Sequence, residues 1–173
     1  MVALTKSTGK IQTWVAGIMT LGLAATVGTA LAFEYVGGFI PCKLCLEQRT
    51  PYYIAIPLLA MGWVSSCLNL SSMLTRVLIL LGALLMTYGL VLAVFHTGVE
   101  LKYWQGPADC SSAMRITQNA GNLLDELNAV RPPSCDSAPG HFLGLSFAGW
   151  NIVASLLFAA IGYVGAFAKG ERA

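Results

Sequence analysis

Long uncharged segments alternate with polar connections along this chain. Four segments without a charged residue stand out, at about residues 11–33, 51–70, 77–95 and 142–168. As a helix, the first would extend roughly 34 Å at 1.5 Å per residue, which is enough to cross a bilayer. Because a bilayer offers no water to an open backbone, such segments are helical. The pattern predicts an all-α membrane protein, a four-transmembrane-helix bundle in which residues 1–173 form a single domain.

The two larger polar connections differ greatly in length. The short one covers about residues 34–50, and the long one covers about 97–141. Within the long connection, apolar residues recur at helical spacing from Ile116 to Val130. This periodicity predicts a short amphipathic helix over about residues 117–130, lying on the membrane surface.

The composition agrees with a membrane protein and limits the kind of partner. Hydrophobic residues make up 56% of the chain and charged residues 10%. A soluble domain usually carries about 25% charged residues. The net charge of +2 is too small to indicate nucleic-acid binding. We therefore expect contact with membrane lipid and none with nucleic acid.

Basic residues are concentrated in the short segments on one side of the predicted bundle. An even number of spans places both termini on that side. Its short segments contain Lys6, Lys10, Arg76, Lys169 and Arg172 against one acid, Glu171. Basic residues in short flanking loops favour the cytoplasmic side. We therefore expect both termini to be cytoplasmic and the connections 34–50 and 97–141 to face the opposite side.

This topology divides the five cysteines. Cys42, Cys45, Cys110 and Cys135 fall on the outer side, where disulfides persist. Cys67 falls near the cytoplasmic face, where we expect a buried thiol that packs like a small hydrophobic side chain.

The first thiol pair lies in a polar run between Pro41 and Pro51, with the sequence PCKLCLEQRTP. In a helix, positions three and four apart share a face, so Cys42, Cys45 and Arg49 would lie together. A neighbouring cation or a helix N-terminus lowers the pKa of a thiol. We expect Arg49 to stabilise a Cys45 thiolate, and we interpret the segment as a redox centre at the membrane surface.

Arg49 and His96 each have a simpler alternative role. Arg49 could be an interfacial anchor whose guanidinium reaches the lipid headgroups. His96 ends the third apolar segment, where a histidine is as often an interfacial residue as a ligand contact. The residue pattern alone leaves both alternatives open.

The second thiol pair, Cys110 and Cys135, lies in the long connection. The breakers Gly106-Pro107 and Pro132-Pro133 occur beside these cysteines, so we expect both thiols to be exposed. Taken alone, the pair would indicate a structural disulfide contributing about 3 kcal/mol by loop closure. A second pair on the same side favours a relay of two dithiols instead.

A metal site is the main competing interpretation. Four thiols could hold zinc, but structural zinc sites use two close-spaced pairs, whereas Cys110 and Cys135 are 25 positions apart. We therefore expect no metal site. The alternative to a redox enzyme is a membrane structural or metal-binding protein with one stapling disulfide and a metal-holding CxxC motif.

One further motif opens the fourth apolar segment, where FLGL at residues 142–145 is followed by Trp150. Together with Pro-Cys-x-x-Cys, Arg49, His96, Cys110 and Cys135, it resembles the disulfide-bond protein B (DsbB) family over nearly the whole chain. The resemblance implies a quinone-coupled thiol oxidase, a multi-pass protein of the bacterial inner membrane with its redox cysteines on the periplasmic side. Its partner would be a periplasmic thioredoxin-fold oxidase like disulfide-bond protein A (DsbA).

The same resemblance implies roles for the four outer cysteines. The partner's thiolate would attack Cys110 to form a mixed disulfide, and Cys135 would be the companion of Cys110. Electrons would then pass to Cys42 and Cys45.

For the electron acceptor, the resemblance implies ubiquinone or menaquinone. Cys45 would engage the bound quinone, and Arg49 and His96 match the arginine and histidine of the family's quinone site. Glu47 departs from the family pattern, because it precedes Arg49 by two positions. No role is carried over to its carboxylate.

Overall fold

A computed structural model describes residues 9–107, 135 and 140–169. These residues form four helices, α1 (Lys10–Tyr35), α2 (Lys43–Cys67), α3 (Ser72–Glu100) and α4 (Phe147–Phe167). A short antiparallel hairpin, β1 (His141–Phe142) with β2 (Leu145–Ser146), precedes α4. Cys110 and the predicted surface helix at 117–130 lie outside the described residues.

The four helices pack into a closed ring, in which each contacts the next along the chain and α4 contacts α1. Among the described helices, α1, α3 and α4 are long and apolar enough to cross a membrane. Large apolar side chains are exposed on the outer surface, among them Leu21, Leu84, Val91 and Leu156. An apolar exterior is what a bundle surrounded by lipid requires. The prediction of an all-α membrane protein is confirmed.

Helix α2 begins earlier than its apolar segment predicted. The segment suggested a start near residue 51, but the helix begins at Lys43 and contains Pro51 and Pro57 in its interior. Cys42 caps the helix, since its Sγ accepts a hydrogen bond from the Cys45 N–H at 3.2 Å. The cap satisfies one of the unpaired donors of the first turn. Because α2 is not among the three spans identified above, four spans remain a prediction.

The core between the helices combines flexible apolar side chains with glycine. Met19, Leu59 and Met86 are fully buried between the helices. A Cβ added to Gly82 would lie 2.8 Å from a methyl carbon of Leu59. The missing side chain therefore lets α2 and α3 approach closely, as small residues do in membrane bundles.

Side chains of two other helices cap the carboxyl end of α4. Arg76 lies inside α3 rather than in a loop, is fully buried, and donates from Nη1 to the carbonyls of Ala166 and Ala168 at 2.8 Å each. Gln12 of α1 donates from Nε2 to the carbonyls of Gly165 and Ala168 at 3.2 Å each. Because the last carbonyls of a helix lack intrahelical partners, these bonds join α1, α3 and α4 at this end.

Two local expectations are wrong. Cys67, expected to be buried, is the last residue of α2 and is exposed. The fourth apolar segment was expected to be helical from residue 142, but its first residues belong to the hairpin. Leu143 and Gly144 form the turn with φ values of 50° and 84°. Two positive φ values are typical of a two-residue hairpin loop and cannot continue a helix.

Candidate functional site

The amino end of α2 holds both thiols of the CxxC motif. Cys42 precedes the helix and caps it, and Cys45 lies in the first turn. A helix N-terminus presents unpaired N–H groups and the positive end of the helix dipole, and both favour a nearby anion. The fold therefore puts Cys42 where a thiolate is stabilised.

The Cys42 side chain is almost completely buried. Its Sγ lies 3.6 Å from Nε2 of His96, which belongs to α3 and is also buried. Cys42 packs in a small apolar cluster with Leu44, Val99 and Cys135. Residues that are distant in the sequence thus surround one thiol.

The two thiols of the motif hold their protons with different strength. A hydrogen bond from Cys45, supported by one from His96 and opposed by burial, lowers the pKa of Cys42 from 9.0 to about 5. The hydrogen bond to Cys42, together with burial, raises the pKa of Cys45. These opposite directions favour the thiolate at Cys42 and the proton at Cys45 in the reduced pair. The pKa directions thus favour Cys42 over Cys45 as the thiolate, and the Arg49 guanidinium pairs with Glu34.

A chain of hydrogen bonds orients the His96 ring. The Tyr52 O–H donates to Asn151 Oδ1 at 2.6 Å, and Asn151 Nδ2 donates to Gln48 Oε1 at 3.1 Å. Gln48 Nε2 is left to donate to His96 Nδ1 at 3.1 Å. Because Nδ1 accepts this bond, a neutral His96 carries its proton on Nε2, on the side of Cys42.

Glu100 lies one turn beyond His96 in α3. Its Oε2 accepts a hydrogen bond from Ser146 Oγ at 2.5 Å. Its Oε1 lies 3.8 Å from His96 Nε2 and is buried, with no hydrogen-bond partner among the described residues. A buried carboxylate oxygen that lacks a donor is unfavourable. This oxygen therefore marks a position where a further group can bind.

A cavity of about 470 Å³ lies beside Cys45, between α1 and the first turns of α2 and α4. Its walls are mainly apolar and include the aromatic rings of Phe33, Phe39, Phe147 and Trp150. Polar groups reach it from Glu34, Gln48, Arg49 and Asn151. Its volume lies in the range of small-molecule sites, which combine apolar walls with a few polar groups.

Only one thiol of the CxxC motif lines this cavity. Cys45 is among the lining residues, whereas Cys42 and His96 are not. The structure therefore brings Arg49 and Cys45 to the same cavity and places His96 behind them, against Cys42.

Cys135 is disulfide-bonded and only 1% exposed. It packs in the same apolar cluster as Cys42. The expectation that Cys135 is exposed is wrong, because this cluster covers it. Cys110 lies outside the described residues. One cysteine of the long connection is thus held against the CxxC motif.

Three potential metal ligands converge at this site. The Sγ atoms of Cys42 and Cys45 and a ring nitrogen of His96 lie within 4.8 Å of one another. Thiolate and imidazole are the ligands that zinc prefers in proteins. The cluster is therefore compact enough to hold a metal ion when both thiols are reduced.

Several residues of the site carry no clear signal in the sequence. Glu34, Gln48 and Asn151 come from three different helices, and an isolated polar residue near a span end is usually interfacial. Glu100 could have been identified, because it follows His96 by four positions and helical spacing puts both on one face.

Paired thiols beside an apolar cavity, at one end of a helical membrane bundle, define a membrane thiol oxidoreductase. The family model described as "Disulfide bond formation protein DsbB" matches residues 12–165. The chain therefore belongs to the DsbB family, whose members are disulfide-bond-forming membrane oxidoreductases.

Individual relatives agree with the family match. The chain is 30% identical to disulfide bond formation protein B of Chromohalobacter salexigens over 133 residues, or 75% of this chain and 76% of that protein. It is 30% identical to the protein of the same name from Hahella chejuensis over 145 residues, or 82% and 85% of the two chains. No solved structure matches the chain significantly.

Proposed function

We propose that this protein reoxidises a periplasmic DsbA-like thiol oxidase and passes the electrons through two cysteine pairs to a membrane quinone, either ubiquinone or menaquinone. It acts in the bacterial inner membrane as a four-span protein, with both termini cytoplasmic and the redox cysteines on the periplasmic side. One observation carries the proposal. Cys45 lines the apolar cavity, whereas Cys42 belongs to the same buried cluster as Cys135. The CxxC pair therefore lies between a cavity and a second redox-active cysteine.

Electrons enter by thiol–disulfide exchange at the long connection. A thiolate of the reduced partner attacks Cys110 in a Cys110–Cys135 disulfide, which forms a mixed disulfide and releases the Cys135 thiolate. The partner's second thiolate then attacks the partner's first sulfur, which is the one bonded to Cys110 in the mixed disulfide. The partner leaves oxidised, and Cys110 and Cys135 are left as a dithiol.

The second exchange joins the two pairs inside the protein. Of the two CxxC cysteines, which are free thiols in the structure, Cys42 is the fully buried one and shares a cluster with Cys135. Attack at Cys42 transfers the electrons, regenerates the Cys110–Cys135 disulfide, and leaves Cys42 and Cys45 reduced. The shared cluster of Cys42 and Cys135 supports this step, because exchange requires the attacking sulfur to reach the disulfide.

The cavity has the features that a quinone requires. Its walls are apolar, and N–H donors of Arg49 and Asn151 are available at its edge. A bound quinone would accept two electrons and two protons and leave as the quinol. Oxidation of the pair would release two electrons as the Cys42 thiolate attacks the Cys45 sulfur and the Cys45 S–H bond breaks, so that the disulfide forms again. The Cys45 proton would supply one of the two protons of the quinol, and solvent would supply the other. The Arg49 guanidinium stabilises negative charge that develops on a quinone oxygen.

Coupled turnover in liposomes tests this proposal. Full-length protein, a reduced DsbA protein and a quinone are combined, and thiol loss and quinol formation are measured together. We expect two thiols to disappear for each quinol formed, and no turnover without quinone. Cys45→Ser abolishes the reaction, whereas Cys67→Ser, at an exposed position outside the site, leaves it unchanged. Thiol oxidation at an equal rate without quinone contradicts the proposal.

A further inference from the structure

We propose that the reduced site binds a thiophilic divalent cation such as Zn²⁺ through Cys42, Cys45, His96 and Glu100. Binding requires both thiols, because sulfur atoms joined in a disulfide cannot act as thiolate ligands. The cation site is therefore present only in the reduced protein. Cation binding itself does not depend on the proposed function. Its consequence rests on that function: a bound cation would block electron transfer to the quinone, because a coordinated dithiol cannot pass on its electrons.

The distance between Cys42 and His96 already matches a tetrahedral site, and Cys45 lies close to both. Cys42 Sγ and His96 Nε2 are 3.6 Å apart, and both lie within 4.8 Å of Cys45 Sγ. With Zn–S near 2.3 Å and Zn–N near 2.0 Å, sulfur and nitrogen ligands of a tetrahedral ion are about 3.5 Å apart. These ligands therefore need little movement to close around a cation.

Glu100 supplies the independent observation that points to a ligand. Its side chain is 6% exposed, and its Oε1 is buried 3.8 Å from His96 Nε2, with no hydrogen-bond partner in the part of the chain that the structure describes. Nitrogen and oxygen ligands of a tetrahedral zinc ion are about 3.3 Å apart. The carboxylate would have to move toward the two thiols to complete four ligands, because only the two sulfurs and the His96 nitrogen already form the compact group.

The cavity provides the entry path. Cys45 lines it, and Cys42 and His96 lie behind Cys45. A cation that enters from the cavity meets the Cys45 thiol first and displaces its proton to solvent, because only the thiolate coordinates a metal. The reaction changes no oxidation state, since one cation enters the site and the thiol proton leaves.

Gln48 opposes this binding and offers a specific test. A cation at His96 Nε2 requires the ring proton on Nδ1, where Gln48 Nε2 now donates. The Gln48 amide must therefore turn and give up its bond from Asn151. A glutamate at position 48 would accept the Nδ1 proton directly, as carboxylates do for many metal-bound histidines. Gln48→Glu should consequently bind the cation more tightly.

The experiment is a Co²⁺ titration of full-length, reduced, quinone-free protein in detergent under anaerobic conditions. Thiolate-to-cobalt charge-transfer absorbance reports coordination by sulfur, and Zn²⁺ displaces Co²⁺ in a competition step. We expect one Co²⁺ per chain and no charge-transfer absorbance after the same sample is oxidised. Gln48→Glu should raise the affinity, and Glu100→Gln should lower it, each by about tenfold. Glu47→Gln, which changes an exposed carboxylate outside the cluster, should have no effect.

Three results would overturn the cation site. In the first, reduced protein shows no charge-transfer absorbance when Co²⁺ is added. In the second, the absorbance disappears in Cys67→Ser. In the third, Gln48→Glu, Glu100→Gln and the parent protein bind Co²⁺ with equal affinity. Circular dichroism confirms that each variant is folded. Quinone reduction is measured separately on metal-free protein, so a failed oxidase activity and a failed cation site give different results.

Discussion

The His96→Leu substitution should raise the pKa of the Cys42 thiol. The leucine keeps an apolar side chain of similar size but removes the N–H group that lies 3.6 Å from Cys42 Sγ. A hydrogen bond to a charged group contributes about 1.5–3 kcal/mol, and one pKa unit corresponds to about 1.4 kcal/mol. We therefore expect a rise of about one to two units above the present value of about 5. The thiol remains more acidic than usual, because the donors of Cys45 are still present.

The same pKa makes the stability of the reduced protein depend on pH. The folded state holds the Cys42 pKa at about 5, below its usual value of 9.0. The thiolate therefore stabilises the folded state fully above pH 9, progressively less as the pH falls, and not at all below pH 5. In His96→Leu the folded-state pKa of Cys42 is higher, so the pH range over which stability changes should begin above pH 5 and be narrower. In Cys42→Ser the dependence should disappear.

Ultraviolet thiolate absorbance measures the shift directly. The titration uses quinone-free protein with chelator, in a background that retains only Cys42 and Cys45 as cysteines. Cys42→Ser in the same background identifies the signal of Cys42. An unchanged midpoint in folded His96→Leu, or a Cys42 midpoint near 9 in the parent, would refute the role assigned to the imidazole.

Three further predictions address other parts of the molecule. The Arg49→Lys variant should fold and exchange disulfides with its partner, but its rate of quinone reduction should fall by a factor of about 10², or its KM for quinone should rise, because lysine lacks the planar fork of arginine. Normal quinone kinetics would make Arg49 a lipid anchor. Cys135→Ala should trap a mixed disulfide between Cys110 and a thioredoxin-fold partner, detected by non-reducing electrophoresis and peptide mapping; an adduct through Cys42 or Cys45 would reverse the proposed order of transfer. Arg76→Met should lower the free energy of unfolding by about 2 kcal/mol or more in a denaturant titration, because the Ala166 and Ala168 carbonyls lose a buried donor; an unchanged midpoint would show that this cap is dispensable.

The positions of α1 and α3 could be predicted from the sequence, because an uncharged segment of spanning length has few alternatives to a helix. The start of α2 could not, because Lys43, Glu47 and Arg49 make its first two turns polar, so that the helix begins before the apolar segment does. The hairpin before α4 could not be predicted either, in this case because its residues are apolar. Its side chains are apolar enough to extend the predicted helix, and only its backbone geometry separates the two elements.

The site was predictable in its residue types but not in its contacts. Cys42 and His96 are 54 positions apart, and only the packing of α2 against α3 joins them. Charge spacing suggested that Arg49 would act on Cys45, but no pattern in the sequence pairs Arg49 with Glu34 of α1. Cys135 has polar neighbours in the sequence, so its burial beside Cys42 also depends on the tertiary fold.

The half-reaction between the CxxC dithiol and quinone tests the central claim most directly. The measurement uses protein that retains only Cys42 and Cys45, reduced under anaerobic conditions and mixed with quinone in the absence of any partner protein. The account predicts one quinol and one Cys42–Cys45 disulfide per chain in a single turnover, and no reaction in Cys45→Ser. A folded protein that keeps both thiols reduced in the presence of excess quinone would contradict the account.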